Sequence, residues 1–200
     1  MIAIIDYDMG NLRSVEKALI KLGQDPIITG DKKIIESASH VILPGVGACR
    51  DANACIRERD LIDTINKVAN SGKPFLGICL GMQIMLEKSF ENGEYEGLGI
   101  FKGIVKKFDE IEGLKIPHMG WNRVSCNNDK IFNGLEKDPY FYFVHSYHAW
   151  ETDYKQSIGL TEYGYNIPVV LKKDNIYGVQ FHPEKSGENG MQLLKNFCEM

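Results

Sequence analysis

The chain has 200 residues, 44% of them hydrophobic and 25% charged, which fits an ordinary globular protein and excludes a disordered or fibrous one. A net charge of −4 argues against a nucleic-acid binder that works through an overall positive field, and no apolar run approaches the ~18 residues of a membrane span. The opening Met-Ile-Ala-Ile-Ile-Asp has no basic stretch ahead of a long apolar one, so no secretion signal is expected. The five cysteines are irregularly spaced and form no Cys-x-x-Cys, so neither a disulfide framework nor a zinc ribbon is expected, and the cytoplasm is the default compartment.

In chain order, Ile2 to Ile5 is a short apolar run that reads as a buried strand. Leu12, Val15, Leu19 and Leu22 then mark one helical face, stopped by Gly23. Pro26 to Thr29 and His40 to Leu43 read as strands, the second broken by Pro44-Gly45-Val46-Gly47. Leu61, Ile62, Ile65, Val68 and Ala69 form a second helical stripe, closed by Ser71-Gly72. Pro74 to Ile78 is again a strand, and Leu80 to Leu86 reads as a helix. This alternation predicts an α/β fold with a mostly parallel sheet flanked by helices on both faces.

The pattern changes after Ser89. Glycines punctuate it, and Tyr140 to Val144, Ser157 to Thr161, Val169 to Leu171 and Ile176 to Phe181 read as strands. A hairpin is expected across Lys172 to Asn175, and Met191, Leu194 and Phe197 mark a closing helix. One domain over residues 1–200, with an antiparallel extension in its second half, is the simplest organisation.

Gly77-Ile78-Cys79-Leu80-Gly81 joins a predicted strand to a predicted helix, as a nucleophile elbow does. The glycines permit a tight turn that holds the sulfur over the sheet, and the helix start favours thiolate. Cys49, Cys55, Cys126 and Cys198 have no such setting and read as packing residues. A thiolate needs a base, which Phe181-His182-Pro183-Glu184 offers at a strand end, with Glu184 able to orient the imidazole. His145 and His148 also follow a predicted strand and compete for that role. His118 has a weaker case, and His40 reads as structural. Pro44 to Gly47 can present backbone N–H groups to an oxyanion, with the amide of Leu80 as second donor. Glycines there also let a peptide plane turn at small steric cost. No metal-ligand spacing occurs, and no cofactor is expected.

Together, Pro44-Gly45-Val46-Gly47, Gly77 to Gln83 and Phe181 to Glu184 resemble the class I, triad-type glutamine amidotransferases. The resemblance implies Cys79 as nucleophile, His182 as base and Glu184 as its orienter. It makes Gly45, Val46 and Gly47 the oxyanion strand, and it gives Gln83, Ser146 and Tyr147 to the glutamine. Further islands narrow the likeness to the glutaminase subunits of imidazole glycerol phosphate synthases: Ile5 to Tyr7, Met9 to Leu12, Pro117 to Asn122, Phe143 to Tyr147 and Gln180 to Ser186. In that family the partner is a separate (β/α)8 cyclase subunit, joined in a heterodimer. It uses the ammonia to make imidazole glycerol phosphate and an aminoimidazole carboxamide ribotide for histidine biosynthesis. By resemblance His118, Met119, Gly120, Trp121, Asn122, Lys185 and Ser186 face that partner.

Two positions depart from the family pattern: Asp8 stands where glycine is expected, and His148-Ala149-Trp150 follows Tyr147 where another tyrosine is common. They leave open a paralogue feeding a surface-sugar amidination synthase. A free-standing cysteine hydrolase on the same fold is the other alternative.

Overall fold

The structure is a computed structural model that describes residues 1–200. Its first half alternates as the sequence predicts. Strand β1 (Ile2–Ile5) leads to helix α1 (Leu12–Lys21), β2 (Pro26–Thr29), α2 (Lys32–Ser37) and β3 (His40–Gly45). Helices α3 (Cys49–Glu58) and α4 (Ile62–Asn70) follow, then β4 (Phe75–Cys79) and α5 (Leu80–Ile84). Short strands β5 (Lys88–Ser89), β6 (Tyr95–Glu96) and β7 (Ile104–Lys107) precede β8 (His118–Arg123) and β9 (Ser125–Cys126). The chain closes with β10 (Tyr140–His145), β11 (Tyr147–Trp150), β12 (Ser157–Tyr163), β13 (Tyr165–Lys173), β14 (Ile176–Val179) and α6 (Gly187–Cys198).

The main sheet runs β2-β1-β3-β4-β14-β13-β12-β9. Neighbours from β2 through β14 are parallel, and β13, β12 and β9 continue antiparallel. Every residue of β1 and β4 is buried, because helices cover both faces and no side chain can turn to water. Alternate residues therefore feed two cores: Ile2 and Ile4 join one, Ala3 and Ile5 the other. The expected hairpin forms, with Lys173 paired to Ile176 across Asp174-Asn175. β14 ends at Val179, so Gln180 to Phe181 lie just past it rather than inside it.

Several elements were not apparent in the sequence. Helix α2 has six residues, too few to show a period, and is capped by the Asp31 carboxylate accepting from the N–H groups of Lys33 and Ile34. Helix α3 buries Cys49, Ala52 and Ile56, a face made mostly of small side chains. Strand β8 pairs antiparallel with β10 in a separate ribbon, with His118 opposite His145. A third small sheet, β11-β7-β5-β6, carries Tyr147 to Trp150.

Sheet topology places the site. β3, β4 and β14 are parallel neighbours, with Gly45 beside Cys79 and Ile78 beside Val179. Their carboxyl ends bring the chain segments at 45–47, 79–80 and 180–182 to one edge, where ligands of open α/β sheets bind.

Candidate active site

Cys79 ends β4 in a backbone conformation that L-residues avoid, with φ +53° and ψ −109°. Such strain costs about 1–3 kcal/mol and persists only where the surroundings enforce it. The flanking glycines explain the enforcement. A Cβ at Gly81 would come within 1.9 Å of the Leu43 carbonyl oxygen, and one at Gly77 within 2.9 Å of the Met82 nitrogen. Only glycine lets α5 press this closely on β3 and β4, and that contact turns the chain sharply at Cys79. Helix α5 is five residues long, shorter than the sequence suggests, so its macrodipole is small.

His182 follows β14 and begins a 3-10 turn over Pro183–Lys185. Its own N–H donates to the Tyr142 carbonyl at 3.0 Å, which ties it to β10. The ring Nδ1–H donates to Glu184 Oε1 at 2.9 Å, and both side chains are almost wholly buried. That bond fixes the tautomer and leaves Nε2 for the sulfur. Nε2 makes no hydrogen bond of regular geometry, yet Cys79 is near enough to act on the ring. Burial opposes the imidazolium, but the Cys79 side chain and then Glu184 outweigh it and push His182 up to about 9. A protonated imidazole beside the sulfur is the starting state a cysteine nucleophile needs.

Cys79, Leu80 and His182 border a cavity of about 400 Å³. Val46 and Gly47 form its wall on the β3 side, Gln83 and Glu91 a second wall, and Val144 to Tyr147 with Lys185 a third. Gly47 has φ +95°, a turn that glycine makes without cost. Gly45 is behind the wall: a Cβ there would meet the Tyr7 hydroxyl at 2.6 Å and Leu80 Cβ at 2.9 Å.

The class-I glutamine amidotransferase family model matches residues 3–200. The chain belongs to this family. Among its relatives, the imidazole glycerol phosphate synthase subunit HisH of Sulfurimonas denitrificans is 52% identical over 202 residues, spanning 100% of this chain and 98% of that protein. HisH of Caldanaerobacter subterraneus is 52% identical over 201 residues, with the same coverage. Among solved structures, a glutamine amidotransferase superposes with a TM-score of 0.77 at 19% identity, covering 100% of this chain and 98% of that one. PurLQS of Thermotoga maritima also gives 0.77, at 21% identity, covering 99% and 97%. At such identities the structural likenesses speak for the fold.

In this amidotransferase the other histidines are engaged elsewhere. His145 borders the cavity, but Nδ1 bonds to the Tyr147 carbonyl at 2.8 Å and Nε2 to His118 at 3.0 Å. Burial pushes His145 down to about 3, which makes it a poor proton acceptor. His148 is fully buried between the Ala149 carbonyl and the Tyr165 hydroxyl. His40 stacks edge-on against Phe197 beneath the sheet.

Gln83, expected to touch substrate, has its amide nitrogen committed to the Tyr147 carbonyl at 2.9 Å and Gln180 Oε1 at 3.0 Å. Its oxygen accepts from Cys49 Sγ at 3.7 Å, so Cys49 is a packing residue that also props the site wall. The partner-facing candidates divide. Met119 is 62% and Trp121 55% exposed, and Lys185 is exposed as well. His118 and Ser186 are instead buried, because β8 turns alternate residues inward and the Ser186 hydroxyl donates to the His182 carbonyl. Gly120 and Asn122 are half-buried on that inner side.

Two further residues join the site: no motif flags Glu91, and Gln180 opens the Gln180 to Ser186 island with no role read for it. Glu91 adds a carboxylate to the cavity wall, with Oε2 accepting from the Cys49 N–H at 2.7 Å. Gln180 reaches the nucleophile itself. The departure at Asp8 also has a reason: it takes φ +70°, and Arg59 grips its carboxylate.

Proposed function

We propose that the chain is the glutaminase subunit of an imidazole glycerol phosphate synthase. It hydrolyses L-glutamine and passes the ammonia to a separate (β/α)8 cyclase subunit in a cytoplasmic heterodimer. Residues 1–200 act as one amidotransferase domain. The observation that carries the chemistry is the strained Cys79 beside the buried His182–Glu184 pair at the foot of one cavity. Full-length identity near 50% to HisH proteins supports the acceptor reaction.

The steps follow from that arrangement. Glutamine enters with its amide carbon toward Cys79, and Glu91 attracts its α-ammonium group. The thiolate forms a C–S bond at the amide carbon. N–H groups of the Val46 to Gly47 segment and of Leu80 face the oxyanion that develops. The C–N bond then breaks, and the proton on His182 Nε2 goes to the leaving nitrogen, giving ammonia. Water attacks the thioester while neutral His182 takes its proton. The new C–O bond displaces sulfur, which restores thiolate and imidazolium and releases glutamate. Glu184 holds the ring and stabilises its charge throughout. Exposed Met119, Trp121 and Lys185 offer the surface for the cyclase.

Trapping tests the reading. A rapid quench with labelled glutamine should yield a γ-glutamyl adduct on Cys79 and release ammonia one-for-one with glutamate. A folded chain that forms no adduct and no glutamate, with or without the cyclase, would overturn it.

A further inference from the structure

Gln180 is fully buried, and its amide Nε2 sits 3.8 Å from Cys79 Sγ within hydrogen-bonding geometry. The reaction as written gives it no task. Resting on the glutaminase reading, we infer that Gln180 is a further catalytic residue: its amide N–H donates to the Cys79 thiolate. We infer also that a buried chain of hydrogen bonds ending at Asn122 holds that amide the right way round.

The orientation follows from the partners. The Tyr147 carbonyl can only accept, and it accepts from Gln83 Nε2 at 2.9 Å and from His145 Nδ1 at 2.8 Å. The Gln83 amide must therefore present nitrogen at that end. The same nitrogen lies 3.0 Å from Gln180, so the Gln180 atom there must be oxygen. The other end of the Gln180 amide, facing sulfur, is then NH₂. A flipped Gln180 would set two donors against each other at Gln83 and leave the sulfur facing a carbonyl oxygen.

The same carbonyl fixes the opposite arm. His145 donates through Nδ1, so in its neutral form Nε2 accepts, and it accepts from His118 Nδ1 at 3.0 Å. His118 Nε2 then needs a donor, which Asn122 Nδ2 supplies at 3.3 Å. Asn122 is itself locked: Nδ2 also donates to the Glu162 carbonyl at 2.9 Å, and Oδ1 accepts from the Arg123 N–H at 2.8 Å. Deduction from either end gives the same polarity. His118 stacks between Phe143 and Tyr163, which keeps its ring from turning. Burial keeps both imidazoles neutral at physiological pH, as the chain requires.

A neutral donor aimed at a thiolate favours the charged form without competing for its proton. In a buried site it acts at low dielectric, where such bonds are strongest. His118, His145 and Gln83 are positioning residues in this scheme, because they act through Gln180. Asn122 lies on β8 beside exposed Trp121, so the chain joins the surface ribbon to the nucleophile.

Alkylation tests this without glutamine. Iodoacetamide modification of Cys79 is followed at pH 7 by peptide mass spectrometry on the full-length chain, which separates it from the other cysteines. Gln180→Met keeps the length and removes the donor. Gln180→Glu keeps the oxygen facing Gln83 and turns a second oxygen on the sulfur. Both should alkylate Cys79 about 10-fold more slowly or worse, the worth of a hydrogen bond to a charged group. His118→Phe preserves the ring stack and cuts the chain, and it should also slow alkylation. His118→Asn places an amide nitrogen where Nδ1 was and should restore most of the rate. Thermal melting identifies the folded variants, and if neither Gln180 variant folds the His118 pair decides. Wild-type alkylation in folded Gln180 variants, or equal rates in the two His118 variants, would overturn the inference. A chain whose alkylation depends on Gln180 but which releases no glutamate would keep this inference and sink the glutaminase reading. Full glutamine turnover in Gln180→Met would do the reverse.

Discussion

The Tyr7 hydroxyl donates a 2.8 Å hydrogen bond to the carbonyl of Pro44, tying the segment after β1 to the peptide that enters Gly45 to Gly47. Tyr7 is fully buried, and burial with nearby cysteines pushes its phenol far above the ordinary range, so it stays a donor. The bond fixes the start of the segment that carries Val46 and Gly47, which border the cavity and are proposed to present N–H groups to the reacting carbonyl. Tyr7→Phe should leave the Pro44 carbonyl unsatisfied, at a cost of about 1–3 kcal/mol. Its kinetic effect should fall on kcat with little change in KM, because Tyr7 does not border the cavity. Steady-state glutamine hydrolysis with the cyclase present checks this; a pure KM effect would contradict it.

Gly81→Ala should be among the most damaging single-methyl changes in the chain. The added carbon has to displace the Leu43 carbonyl, which starts 1.9 Å away. A cost of about 3 kcal/mol or more is expected in urea unfolding. Gly23→Ala meets no neighbour and carries only the strain of φ +75°, about 1 kcal/mol. Similar costs for the two would show that the elbow is not held by close packing.

Mutations of the base and its orienter should differ in rank. His182→Ala removes the group that carries the proton, whereas Glu184→Gln keeps a partner for Nδ1 and loses only charge. Glutamine turnover should therefore fall further in His182→Ala. The reverse order would move the base away from His182.

Stability should depend on pH asymmetrically. Burial pushes His118, His145 and His148 down to about 4, 3 and 4. Each binds a proton near pH 6.5 only when unfolded, so its contribution is complete above 6.5 and is lost as pH falls. His182, raised to about 9, contributes fully below 6.5 and loses that contribution as pH rises through 9. His40 is lowered by burial as well, so the acid side carries four such histidines and the near-alkaline side one, at up to roughly 1.4 kcal/mol per pH unit each. Urea midpoints should fall more steeply from pH 6 to 5 than from pH 7 to 8, and His148→Gln should flatten the acid limb. Equal limbs would contradict the neutral, buried state of these rings.

The sequence reveals most clearly whatever depends on local pattern. The apolar runs of β1, β3 and β4 and the stripes of α1 and α4 are visible because both faces of a parallel sheet are covered. The Gly-x-Cys-x-Gly elbow is visible because close packing of α5 demands those glycines. The β8–β10 ribbon was half hidden: β10 shows its alternation, but β8 buries His118 on its inner side and exposes Met119 and Trp121, the inverse of a hydropathy pattern. The same inward turn buries His118, which only the resemblance places on the partner-facing surface. Glu91 joins the site through tertiary folding alone, and Gln180, although part of the Gln180 to Ser186 island, gains its place at the sulfur the same way. Neither has a partner near it in sequence, and only the meeting of β4, β14 and the loop after β5 gives them a role.

The central claim is that Cys79 supplies ammonia and nothing else to a separate synthase. The most direct measurement uses Cys79→Ala in complex with the cyclase and its ribotide, assayed for imidazole glycerol phosphate with glutamine and then with ammonium salt. Glutamine-dependent synthesis should vanish, by about 10⁶-fold as for a triad nucleophile elsewhere, while ammonium-dependent synthesis stays at the wild-type level. Glutamine-dependent synthesis that survives in the folded variant, or a complex that cannot use ammonium, would contradict it.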